Sequence, residues 1–88
     1  MKTILSMRLI CQGQTKATIR RELDSDMVPF LGLKIEHDHE SEIQSVCYNI
    51  EENYYYVTLS PEDHFETQEE LDMQIQCYKE YGWTVLGE

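Results

Sequence analysis

The chain has 88 residues, with 7 Lys and Arg against 17 Asp and Glu and a formal net charge of −10. With 41% hydrophobic and 27% charged residues it is too apolar for outright disorder and too short for a second core, so residues 1–88 are expected to form a single domain. The acidic balance argues against direct nucleic-acid binding, which needs Lys and Arg to displace counterions from phosphates.

In chain order, the first periodic segment is residues 3–11. Leu5, Met7, Leu9 and Cys11 alternate with Ser6 and Arg8, the period of a half-buried strand. Gln12-Gly13-Gln14 reads as a hairpin connection of about 3–5 residues. Ala17, Ile19 and Leu23 then alternate with Lys16, Thr18, Arg20 and Glu22, which predicts a second strand with a basic outer face. Arg21 falls on the inner side of that register, so the strand is expected to end or bulge there. A helix over 15–23 is the competing assignment, because Lys, Ala, Arg, Glu and Leu are good helix formers.

Asp24-Ser25-Asp26 is turn-forming, and Val28-Pro29-Phe30-Leu31-Gly32 reads as a semi-rigid connector. Leu33, Ile35 and His37 give a third alternating strand, and Asp38 to Glu42 an acidic loop. Val46, Tyr48 and Ile50 share one face of a hairpin with Tyr55, Val57 and Leu59, across a turn at Glu51-Glu52-Asn53. Ser60-Pro61 ends that strand, because proline cannot donate to a ladder. Thr67 and Glu70 are spaced as a reciprocal capping box, and Leu71, Ile75 and Tyr78 follow on one helical stripe. Gly82 suits the left-handed position after the helix, with Trp83 placed to pack against Tyr78. Residues 83–86 can make a closing strand. The expected fold is α+β, with element order β-β-β-β-β-α-β and one C-terminal helix. Its sheet is expected to be small, mainly antiparallel and strongly bent, or a partly open barrel.

Charge is distributed unevenly. Residues 1–34 carry six bases and three acids, whereas residues 35–88 carry Lys79 against fourteen acids. The result is a weakly basic N-terminal portion joined to one with a net charge of −13. Cys11, Cys47 and Cys77 are widely spaced and odd in number, a poor disulfide framework and a poor zinc set, so reduced thiols are expected. Ser6 and Arg8 interrupt the apolar N-terminal run that a signal peptide would need. No stretch approaches the roughly 20 apolar residues of a membrane span, and a cytoplasmic location is expected.

Two kinds of site are legible. Glu36-His37-Asp38-His39-Glu40 concentrates metal-ligand chemistry, and two imidazoles two residues apart on a strand point to one side. His37 and His39, with Glu42 supplying oxygen, are the candidate ligands for a divalent metal, with His64 able to join only if the fold brings it near. The second site is electrostatic. Glu51, Glu52, Glu62, Asp63, Glu66, Glu69, Glu70 and Asp72 are candidates to meet a protein partner with a basic surface, anchored by outward-facing Tyr54 and Tyr56. Met73, Cys77 and Tyr81 form a second apolar helix stripe that needs cover from a partner or a second copy of the chain.

No nucleophile elbow, phosphate loop or adjacent Cys–His pair is present, so no catalytic residue is nominated and an enzyme is not expected. The leading expectation is a small acidic interaction or regulatory domain that uses no cofactor. In its sharper form the acids imitate a nucleic-acid backbone, a role suited to an accessory protein of a phage or mobile element. The alternative is a divalent-metal-binding or metal-responsive domain using His37 and His39.

Overall fold

The computed structural model describes residues 1–37 and 39–87. Among these, the order is β1 (Lys2–Cys11), β2 (Gln14–Asp24), β3 (Lys34–Glu36), β4 (Glu40–Asn49), β5 (Tyr54–Leu59), β6 (Glu62–Phe65), α1 (Gln68–Glu80) and β7 (Thr84–Leu86). The fold is therefore α+β with one helix. The strands form a mixed sheet in the order β3-β4-β5-β1-β2-β7, with β6 beside β1. The sheet is open, with β3 and β7 at its edges.

The sheet is mainly antiparallel, as expected, with four of six strand pairings among the described residues antiparallel, but its centre is parallel. β1 is antiparallel to β2 but parallel to both β5 and β6. Burial accounts for this: β5 carries Val57 and Leu59 inward, and lying beside β1 adds them to the layer of Leu5, Met7 and Leu9. α1 crosses this inner face and contributes Leu71, Ile75 and Tyr78, with Phe65 and Trp83 closing the core.

Residues 14–24 form a strand and not a helix, because pairing with β1 buries Ala17 and Ile19. Tertiary burial overrides the helix propensity of the segment. Arg21 pairs regularly with Leu5, and the irregularity in this ladder falls at Leu9/Ile10 instead. The β1–β2 loop is Gln12-Gly13 alone, shorter than expected, with φ of 54° and 77°. Two positive φ values in a two-residue loop match the twist of a hairpin, which Gly13 adopts without a Cβ penalty.

Glu40, Ser41 and Glu42, expected in a loop, begin β4, while Asp38 lies outside the described residues. Ser41 pairs with Ile35 and is buried, with its hydroxyl against His37 Nε2 at 2.8 Å and donating to Met7 Sδ at 3.5 Å. Ile50, expected on a strand face, is 83% exposed in the β4–β5 turn. The strand stops at Asn49, whose Oδ1 accepts the Glu52 N–H and whose carbonyl accepts the Asn53 N–H, both at 2.8 Å. β6 was not expected at all.

At the start of α1, the Thr67 hydroxyl accepts the Glu70 N–H at 3.2 Å. Glu70 Oε2 returns to the N–H of Glu66 at 3.1 Å, one residue before the reciprocal position of a capping box. The other end is a Schellman motif. Trp83 N–H donates to the Tyr78 carbonyl at 3.0 Å, Gly82 N–H donates to the Lys79 carbonyl at 3.3 Å, and Gly82 sits at φ +90°.

Thr3 is fully buried, and its hydroxyl has no hydrogen-bond partner among the described residues. A buried unsatisfied polar group costs about 1–3 kcal/mol. Thr3→Val keeps the branched shape and removes the polar atom, so it is expected to raise stability by about 1 kcal/mol. Urea unfolding of the two forms checks this, and a lower midpoint for the valine form would refute it.

Candidate functional site

The acids nominated from sequence divide between the two ends of the sheet. Glu51 and Glu52 occupy the β4–β5 turn, next to Tyr54, which pairs with Lys2 at the start of β1. Glu62 to Phe65 lie beside Leu9 to Cys11 at the other end of that 10-residue strand, about 23–30 Å away.

Tyr54 and Tyr56 also separate from the acids of α1. They alternate with Tyr55 and Val57, and so lie on the sheet face opposite the helix. Their neighbours there are cationic: Lys2 Nζ is 5.7 Å from the Tyr54 ring centroid, and the Arg20 guanidinium is 5.3 Å from that of Tyr56. These tyrosines are half-buried among bases, where cation–π attraction holds them.

Asp63, Glu66, Glu69, Glu70 and Asp72 remain together, all exposed, on β6 and the first turns of α1. Acids at the N-terminal turn of a helix are favoured by its dipole, which partly explains Glu69 and Glu70. Between β6 and α1 lies a shallow cleft of about 310 Å³, lined by His64, Phe65, Glu70, Met73, Gln74 and Cys77. Met73 is 72% and Tyr81 61% exposed, so the second apolar stripe of α1 faces outward beside the acids.

Glu62 departs from the expected acidic surface: it is only 7% exposed. Its Oε1 accepts the hydroxyl of fully buried Tyr78, and its Oε2 lies 3.2 Å from His64 Nε2. A bulge explains the inward turn. Leu9 pairs with Glu62 and Cys11 with Phe65, so three steps on β6 oppose two on β1, and both Glu62 and Phe65 point into the core.

The histidines are rearranged in the same way. The start of β4 runs past Ser60, with Ser60 N–H donating to the Glu42 carbonyl at 2.8 Å and Glu42 N–H to Ser60 Oγ at 3.1 Å. That register brings the β3–β4 turn to β6. The rings of His39 and His64 come within 5.5 Å, and ligand atoms of His39, Glu62 and His64 lie within 4.8 Å of one another.

His37 stands apart. Its Nε2 meets Ser41 Oγ, its Nδ1 accepts the His39 N–H at 3.3 Å, and its ring packs 6.1 Å from Tyr78 and 5.8 Å from Trp83. Glu42, the expected oxygen donor, is exposed on β4 and does not belong to the three-residue cluster found among the described residues. Of the metal set named from sequence, His39 alone is in the cluster. His64 joins it as the fold allowed, and Glu62 was nominated for a different role.

The class defined by this geometry is an α+β domain with an open mixed sheet, one face covered by a single helix and the other lined by tyrosines and bases. The chain matches no protein-family description, no curated protein and no solved structure. No helix among the described residues is long and apolar enough to cross a membrane.

Proposed function

We propose that the domain binds a basic, partly apolar protein segment along the outer side of α1 and the adjoining β6, without acting as an enzyme. The observation that carries this reading is the apolar stripe of exposed Met73 and Tyr81 with half-buried Cys77 between them, set against Asp63, Glu66, Glu69, Glu70 and Asp72. Apolar side chains ringed by charge suit a partner whose hydrophobic residues enter the cleft while Lys or Arg meet the carboxylates. Grouped acids also speed encounter with a cationic partner through long-range attraction.

The reading is narrower than a general acidic surface. Glu51 and Glu52 lie too far along the sheet to contribute, Glu62 is buried, and Tyr54 and Tyr56 face bases on the other side. The cationic side chains of Lys2 and Arg20 beside these tyrosines make that face less suited to the same basic partner.

The test uses fluorescent peptides that alternate Leu with Arg, Lys or Glu. The Arg and Lys peptides are expected to bind, and binding is expected to weaken at least tenfold between about 50 and about 500 mM salt, because exposed charges are screened within a few ångströms at the higher value. Replacing Glu66, Glu69 and Asp72 together by Lys is expected to abolish it. Equal binding of the Glu peptide, or indifference to salt, would refute the mechanism.

A further inference from the structure

We infer that His39, Glu62 and His64 form a binding site for one Zn²⁺ ion that clamps the β3–β4 turn to β6. Three features carry the inference, and none depends on the peptide-binding reading above.

The ligand chemistry is right for zinc. Two imidazoles and one carboxylate make a borderline set that suits Zn²⁺, Co²⁺ or Ni²⁺, whereas Ca²⁺ and Mg²⁺ take mostly oxygen. The donor atoms lie within 4.8 Å of one another. A tetrahedral ion with bonds of about 2.0–2.1 Å requires its donors about 3.4 Å apart. The Glu62 Oε2 to His64 Nε2 separation of 3.2 Å already meets that requirement. His39 and His64 are exposed side chains on a turn and a short strand, with the His64 ring packed 4.4 Å from that of Phe65 and the His39 ring 6.3 Å from that of His37, so closing on the ion takes only a small adjustment of two exposed rings.

The carboxylate is built in. Glu62 is only 7% exposed, and the Tyr78 hydroxyl donates to Oε1, leaving Oε2 directed at His64. A ligand carboxylate oriented by a hydrogen bond from behind is the usual outer shell of a metal site. Tyr78 is itself locked between α1 and the sheet, so the arrangement is held by the core rather than by loops.

The site joins elements far apart in sequence. His39 sits between β3 and β4, and Glu62 and His64 on β6, so the ion bridges the end of an edge hairpin to a strand beside β1. Three protein ligands leave a fourth position for water. The site adjoins the cleft between β6 and α1, since His64 lines that cleft as well.

The experiment is titration of metal-free protein with ZnCl₂ by calorimetry, and with CoCl₂ by visible absorption, which reports tetrahedral coordination directly. One ion per chain is expected. His39→Ala, His64→Ala and Glu62→Gln are each expected to weaken binding at least tenfold. Tyr78→Phe, which removes only the orienting hydroxyl, is expected to weaken it by about 10–100-fold. Glu42→Gln and Cys47→Ser are expected to leave it unchanged. Circular dichroism of the two histidine variants, both altered at exposed positions, shows whether the fold is retained. Absence of stoichiometric Zn²⁺ binding to the wild-type chain, or binding that survives His64→Ala but not Glu42→Gln, overturns the assignment.

Discussion

Tyr78→Ala is expected to leave the chain without a cooperative unfolding transition in water. Tyr78 is fully buried, stacks edge-on against Trp83 with ring centroids 5.5 Å apart, and donates its hydroxyl to Glu62. Truncating a buried aromatic side chain costs about 3–5 kcal/mol, because the lost transfer energy is joined by that of the cavity left behind. Removing the donor also leaves an oxygen of Glu62 buried with one fewer partner, adding roughly 1–3 kcal/mol. A domain of this length is expected to hold only about 4–13 kcal/mol in total. Tyr78→Phe separates the two contributions, since it keeps the ring and is expected to cost about 1–3 kcal/mol. Trp83, the single tryptophan, reports both through its fluorescence in urea. An alanine variant with a wild-type midpoint would show that this ring does not join the helix to the sheet. A phenylalanine variant equal to wild type would show that the hydrogen bond to Glu62 contributes nothing net.

Local chemistry made much of this fold legible. Leu5, Met7, Leu9 and Cys11 announce β1 by period two, and all four are buried. The caps of α1 are readable because their bonds join neighbours: Thr67 to Glu70, Lys79 to Gly82, and Tyr78 to Trp83. What stayed hidden is non-local. The parallel pairing of β1 with β5 depends on which strand best completes the layer over Leu5 and Met7, and no spacing within β5 encodes that choice. The hairpin rule, that sequence neighbours pair, describes β1–β2, β3–β4 and β4–β5 but not the β1–β5 pairing at the sheet's centre.

The candidate sites show the same division. Residue type drew attention to His37 and His39, but strand alternation implied a shared direction that the turn does not keep. His37 folds back onto Ser41, Tyr78 and Trp83, while His39 turns to β6. The inward phase of β5, carried by Val57 and Leu59, would next place Pro61 and Asp63 in the core, so nothing in the spacing marks Glu62 as buried. The break at Ser60-Pro61 and the bulge beside Cys11 shift that phase, so the inward residues become Glu62 and Phe65. A one-residue slip exchanges the faces of a strand, and here it turns a surface acid into a buried one. The negative charge divides in a similar way. Its clustering after residue 34 is a property of the sequence, whereas its separation into two groups at opposite ends of β1 is a property of the topology.

The two stripes of α1 offer the sharpest separation of stability from binding, through Leu71→Ala and Met73→Ala. Leu71 is fully buried against the sheet, and Met73, two residues on, is 72% exposed. Leu71→Ala is expected to cost about 2–5 kcal/mol, through lost burial and a cavity under the first turns of the helix. With a urea slope of about 1–2 kcal/mol per molar for a small domain, the midpoint should fall by roughly 1–5 M. Met73→Ala removes a side chain that water already surrounds, and alanine is the better helix former, so stability should stay within about 0.5 kcal/mol of wild type. Its expected effect lies in binding. If the Met73–Cys77–Tyr81 stripe is the apolar centre of the partner surface, Met73→Ala should weaken the Leu/Arg peptide by about fivefold or more, the loss of roughly 1 kcal/mol that marks a contributing interface residue. Each variant is thus measured in both assays. A Met73→Ala protein that unfolds early would mean the second stripe is packed within the chain. One that binds the peptide as wild type does would leave the acids acting without an apolar anchor, as a purely screened attraction that disappears at physiological salt.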